Sequence, residues 1–168
     1  MRRIICSLLL LACLLSLWGC AEESKAGTAN FYYTRESFIY GQEDGVIAPE
    51  VRDITQFSDE KAIFTTYLKG PNDISLVSPF PRGVKIIELV YEDNTLYVTL
   101  SAHIVTLPKA KQVLACACFA RTAMELTGVK AVSFQTADTE LVRMEPILID
   151  ENSVLLYDDY QAPTPTEP

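Results

Sequence analysis

The chain is poor in the residues that most enzyme sites require. It has one histidine and seven glycines in 168 residues. Sparse glycine removes the phosphate-cradling loop, and no Gly-x-Ser-x-Gly elbow occurs. Lys and Arg number 14 against 22 Asp and Glu, a formal charge of −8. Nucleic-acid affinity comes mainly from cations meeting phosphates, so an acidic chain argues against that partner. It argues equally against a basic patch for anionic lipid headgroups.

Cysteine is present but poorly placed for a staple or a metal. Of five, Cys6, Cys13 and Cys20 fall in or beside the N-terminal apolar run. Cys116 and Cys118, in "LACACFA", are two apart in a helical pattern and point about 200° from each other, which forbids a bridge. With one histidine in the chain, Cys-x-Cys falls short of a zinc set. Both read as small core residues. No cofactor or metal site is expected.

What the chain does have begins at its N-terminus. Arg2 and Arg3 precede Ile4 to Trp18, 15 residues without a charge. A bilayer span needs about 20. The run suits the apolar region of an export signal followed by a small-residue cleavage site. Leu17-Trp18-Gly19-Cys20 resembles the bacterial lipobox, with Leu17 and Gly19 in place and Trp18 where a small or β-branched residue is usual. The resemblance implies a signal at 1–19, diacylglyceryl attachment at Cys20, and a protein held by lipid to the outer face of the cytoplasmic membrane. Each buried CH₂ contributes roughly 0.8 kcal/mol, so two or three acyl chains make a stable anchor. Losing residues 1–19 removes two arginines and moves the charge from −8 to −10.

Residues 20–29 lack large apolar side chains and read as a flexible tether. One domain is expected over 30–150. Residues 151–168 read as a short apolar segment and then an acidic, proline-rich tail.

Within the domain, Phe31-Tyr32-Tyr33 reads as an aromatic strand, with Phe38-Ile39-Tyr40 paired to it or in a loop. Glycines bracket the turn "GQEDG" (41–45). Val46 to Ile54 reads as extended, and Pro49 confines it to an edge. Ser58 is placed to cap a helix carrying Ile63, Phe64, Tyr67 and Leu68 on one face, stopped by Gly70-Pro71. Residues 72–83 read as a connecting loop. "VKIIELVY" and "LYVTLS" form a hairpin through Asp93-Asn94. Leu96, Val98 and Leu100 share one face. A second helix runs from Pro108 to Thr127 and closes at Gly128, with Val113, Cys116, Ala117, Ala120, Ala123 and Met124 toward the core. Strands are expected at 129–135, 141–144 and 147–149, and "SVLLY" (153–157) as another. The class is α+β: a single compact domain, roughly β-α-β-β-α-β, with two helices on one face of a mixed sheet.

His103, just past a strand in "SAHIVT", has no nucleophile beside it in any recognisable motif. The acidic clusters fall in turns and at element ends, where solvated charge is expected. Tyr32, Tyr33 and Tyr40 suit either a binding surface or the buried face of a strand.

Several stretches in sequence order are similar to one family, the GerMN domain of sporulation and spore germination proteins. Phe31-Tyr32-Tyr33 resembles its opening strand, and Val46 to Asp53, with Pro49 and Arg52, its second. Tyr67-Leu68-Lys69-Gly70-Pro71 resembles its helix stop, and Pro81-Arg82-Gly83-Val84-Lys85 the loop before its hairpin. Leu96 to Ser101 and Met124 to Val132 complete the series. Thr99 replaces an acidic residue, and Ala137-Asp138-Thr139 replaces the usual glycine turn. The resemblance implies a non-enzymatic extracytoplasmic module that works through protein partners in the envelope, in sporulation or germination. It assigns no catalytic residue. A binding module for a peptidoglycan fragment and a secreted hydrolase are the readings from other classes.

Overall fold

The computed structural model describes residues 27–36, 45–137 and 143–153. The expected signal, Cys20, Phe38 to Tyr40, most of the "GQEDG" turn and the tail beyond Ser153 lie outside them.

Two sheets form. β1 (Thr28–Arg35), β2 (Ile47–Asp53) and β3 (Leu76–Val77) make an antiparallel sheet in the order β2-β1-β3. β4 (Ile86–Glu92), β5 (Thr95–Leu100), β6 (Ala131–Thr136) and β7 (Ile147–Asp150) make the mixed sheet, in the order β4-β5-β6-β7 with β5 and β6 parallel. Helix α1 (Glu60–Tyr67) follows β2, and a 3-10 helix (Ala102–Thr106) leads into α2 (Lys109–Thr127). The class is α+β in one compact domain. The loop expected at 72–83 contains β3, whose two residues pair with Thr34 and Arg35. β1 begins at Thr28, inside the stretch read as tether.

The hairpin forms as its turn residues dictate. Asp93 and Asn94 take positive φ of 47° and 62°. These are the dihedrals of a turn whose twist matches that of the strands. Leu96, Val98 and Leu100 on β5 and Val132 and Phe134 on β6 are fully buried. Asp59, not Ser58, caps α1: its carboxylate accepts from the Ala62 amide at 2.7 Å. Asp59 stands one residue nearer the first turn, where its charge also meets the positive end of the helix. Gly128 closes α2 at φ 75°, donating its N–H to Met124 O.

α2 is buried on more than the expected stripe. Every residue from Ala115 to Ala120 is inaccessible. The helix lies against β6 and β7 on one side and β1 on the other. A helix apolar all round is one buried all round, and alanines and cysteines let both sheets approach closely. β1 answers in kind: Phe31, Tyr32 and Tyr33 are all buried, two against α1 and the main core, Tyr32 against Ala117 and Cys118.

Beyond the two residues that pair with β3, side chains rather than a strand close that edge of β1. The Tyr32 amide donates to Thr122 Oγ1 at 2.9 Å, and the Tyr32 carbonyl accepts from the Tyr67 hydroxyl at 2.8 Å. Tyr32 and its partner Pro49 are therefore a non-hydrogen-bonded pair, which is why β2 tolerates a proline there. Thr122→Val keeps the shape but strands a buried N–H. The expected loss is about 1–3 kcal/mol in urea unfolding, with Thr122→Ser close to wild type.

Candidate interaction surface

The residues singled out for chemistry do not converge. His103 is exposed on the 3-10 helix that directly follows β5. A Cβ at Gly83, where φ is +90°, would come within 3.3 Å of its imidazole. The ring thus lies on the backbone of the Pro81-Arg82-Gly83 turn, a packing role. Cys116 and Cys118 are buried free thiols. Burial pushes Cys116 up to about 12 and raises Cys118 further, so neither is a ready thiolate. Among the described residues no group of three or more His, Cys, Asp and Glu could hold a metal.

The carboxylates serve their own turns. Asp53 accepts from the Thr55 amide and hydroxyl, Asp73 from those of Ser75, and Asp150 from those of Ser153. These hydrogen bonds hold all three below the usual carboxylate range. Glu125 accepts from the Tyr32 hydroxyl at 2.6 Å and from Asn30 Nδ2. The Arg121 guanidinium lies 4.5 Å from the Tyr32 ring centre. Burial raises the Tyr32 phenol, and the Glu125 bond adds to it. A cavity of about 200 Å³ opens beside this group, lined by Thr28, Asn30 and Glu125 among others. Of its polar side chains, Asn30 and Glu125 are engaged with one another. Tyr32 and Tyr33 are core residues rather than a binding face; Tyr40 is outside the described residues.

Arg52 does structural work across elements. It pairs with Glu50 at 2.9 Å, and both side chains are about a tenth exposed, at 10% and 11%. It also donates to Gly70 O at 2.7 Å and lies 4.9 Å from the Phe31 ring centre. Glu50 in turn accepts from the Asn72 amide. One side chain thereby holds β2 to the turn that ends α1.

Exposed apolar residues gather elsewhere, on the mixed sheet. Its register aligns Val90, Tyr97, Ser133 and Leu148 in one row across four strands. Val90, Tyr97 and Leu148 are 43%, 40% and 62% exposed. On the outer strand, Ile87 and Tyr91 are also exposed, toward the opposite face from Val90. Between β4 and the first turn of α1 runs an open groove of about 560 Å³. The Tyr91 hydroxyl donates to Glu60 there. Sequence patterning overlooked this surface. The available signal was "VKIIELVY", whose apolar residues fall on both faces of a strand instead of alternating.

The family model for sporulation and spore germination, Germane, matches residues 30–142. The chain belongs to the Germane family. Three solved chains resemble the Germane fold described here. The tandem GerMN domains of the sporulation protein GerM from Bacillus subtilis superpose with a TM-score of 0.50 at 21% identity, over 76% of this chain and 47% of that one. This chain thus spans about half the length of that structure. A chain described as a lipoprotein from Clostridium perfringens gives a TM-score of 0.39 at 17% identity, covering 73% of this chain and 83% of that one. Both likenesses concern the fold. No curated protein matches the chain. The Germane match runs from within β1 to beyond the end of β6, so both helices and the exposed Val90 and Tyr97 lie within it, while β7, with Leu148, lies past its end.

Proposed function

We propose that this Germane protein is a lipid-anchored extracytoplasmic module that acts through protein contacts, without catalysis, in sporulation or germination. The observation that carries this is the family match over residues 30–142. Two features support it. Glu50, Asp53, Asp73, Glu125 and Asp150, both described thiols and the histidine serve structure, while a patch of apolar side chains is left on the mixed sheet. Leu17 and Gly19 before Cys20 follow an uncharged run that is short for a span, as an anchored lipoprotein requires. No helix among the described residues is long and apolar enough to cross a membrane.

Fractionation tests the anchor. Wild type expressed in a bacterium is expected in the membrane fraction, with an acylated N-terminal peptide beginning at Cys20. Cys20→Ser is expected to keep the mass of the unprocessed chain and to carry no acyl group. Identical masses and identical membrane fractions for the two proteins defeat the reading. Cross-linking of the tagged protein through growth and sporulation then reports whether its contacts appear with spore formation.

A further inference from the structure

β4 is the outermost strand of the mixed sheet, and among the described residues no strand pairs with its free side. The hairpin decides which of its backbone groups are unpaired. A two-residue turn is closed by a hydrogen-bonded pair, here Glu92 and Thr95, and the pairs alternate from there. Val90 consequently bonds to Tyr97, while Leu89 and Tyr91 direct N–H and C=O outward. The Ile87 carbonyl points the same way, because it meets Lys61 Nζ at 3.4 Å. An edge of this kind is a template for another strand.

The surroundings narrow what that strand carries. Ile87, Leu89 and Tyr91 supply an apolar floor to the groove beside α1. Asp59 and Glu60 stand on the groove side, and Glu88 and Glu92 alternate with Val90 on the other face. Among the described residues that line the groove, the one cation, Lys61, is turned to the Ile87 carbonyl. A segment with alternating apolar and basic residues complements that arrangement on both faces.

A second copy of the chain fits badly. Its formal charge is −8. A two-fold axis through Val90 sets each Glu88 opposite the other copy's Glu92. An axis through Glu88 sets the two Glu88 side chains against each other, and one through Leu89 leaves them on the diagonal. Like charges opposed across strands are destabilising.

We propose that the free edge of β4 receives an extended, lysine- or arginine-bearing segment of a partner protein by strand addition. Main-chain bonds to Leu89 and Tyr91 would hold it, and alternate side chains would select it. This rests on the protein-contact reading above and names the chemistry of the contact.

The test is fluorescence anisotropy on the full chain in detergent. The probes are a short labelled peptide alternating valine and lysine, its glutamate twin, and the lysine peptide N-methylated at alternate residues. The lysine peptide is expected to bind saturably, and the N-methylated one to lose binding because it cannot donate to the edge. Glu88→Lys, an exposed change that leaves the fold intact, is expected to weaken the lysine peptide about tenfold and to favour the glutamate twin. Absence of saturable binding, equal binding of the twin, or undiminished binding of the N-methylated peptide overturns the proposal. Sedimentation velocity addresses the rival occupant: a dimer that excludes the peptide and responds to Glu88→Lys assigns the edge to a second copy. Cys20→Ser fractionation does not depend on β4, so the anchor and the edge can fail separately.

Discussion

Phe119→Ala is expected to destabilise the domain by about 3–5 kcal/mol, the usual cost of emptying a large aromatic site in a core. Phe119 is fully buried on α2, and among the described residues its ring meets four others. Phe64 of α1 stacks on it at 4.9 Å, and Tyr67 approaches edge-on at 5.5 Å. Phe80, from the segment after β3, lies at 6.3 Å, and Phe134 of β6 at 5.5 Å. Such pairs contribute about 0.5–1.5 kcal/mol each beyond area burial. Truncation removes all four at once and leaves a void between two helices and a sheet. Domains of this size are stable by roughly 5–15 kcal/mol, so the variant should melt far below wild type or fail to accumulate. Phe119→Leu, which refills part of the volume, should recover some of the loss. Parallel urea titrations of the two variants give the comparison; a Phe119→Ala loss below about 1 kcal/mol would deny the ring its central place.

Arg52→Met should cost about 3–5 kcal/mol, the range for removing one partner of a buried pair. Methionine preserves much of the apolar stem but abandons Glu50, the Gly70 carbonyl and the Phe31 ring. Glu50→Gln in the same background should restore part of the loss, since it removes the stranded charge. Acid titration adds a second signature. Partial burial pushes the Glu50 carboxyl up, but the Arg52 hydrogen bond, the Asn72 amide and the Arg52 charge outweigh it and hold the group below its ordinary 4.5. A lowered folded pKa contributes stability above the ordinary value, and that contribution is lost as pH falls through the folded value. The gap between wild type and Arg52→Met should therefore be widest at neutral pH and narrow below about 4.5. A gap constant from neutral pH down to the acid limit would show that the charge pair is not its source.

Much of the local structure was legible because its causes are local. Asp93-Asn94 specified the hairpin, Gly128 the end of α2, and Leu96, Val98 and Leu100 the inner face of β5. Ile63, Phe64 and Tyr67 marked the buried side of α1. What escaped depends on distant partners. β3 is two residues long and exists because β1 lies beside it, with Thr34 Oγ1 bonding the Val77 carbonyl 43 residues on. The division of strands into two sheets is likewise decided by pairing rather than by pattern. Phe119 could not be ranked above other apolar residues of α2, because a helix buried on several sides has no preferred face. Neither the groove nor the unpaired side of β4 has a motif; both are products of which strand ends up outermost.

The bond from the Tyr32 amide to Thr122 spans 90 residues, and that separation bears on the order in which the molecule assembles. The β4–β5 hairpin closes through a two-residue turn and needs no distant help. β1 must wait until α2 exists, because Thr122 of that helix accepts from the Tyr32 amide and Ala117 and Cys118 pack on the Tyr32 side chain. Contacts between distant residues form late, since the loop between them has to be closed first. A chain that emerges N-terminus first, from a ribosome or through a translocation channel, would present its most aromatic strand with an uncovered edge until residue 122 had followed. That interval is when β1 is most open to wrong pairing, and a chain anchored at Cys20 as proposed would pass through it beside the membrane rather than free in solution.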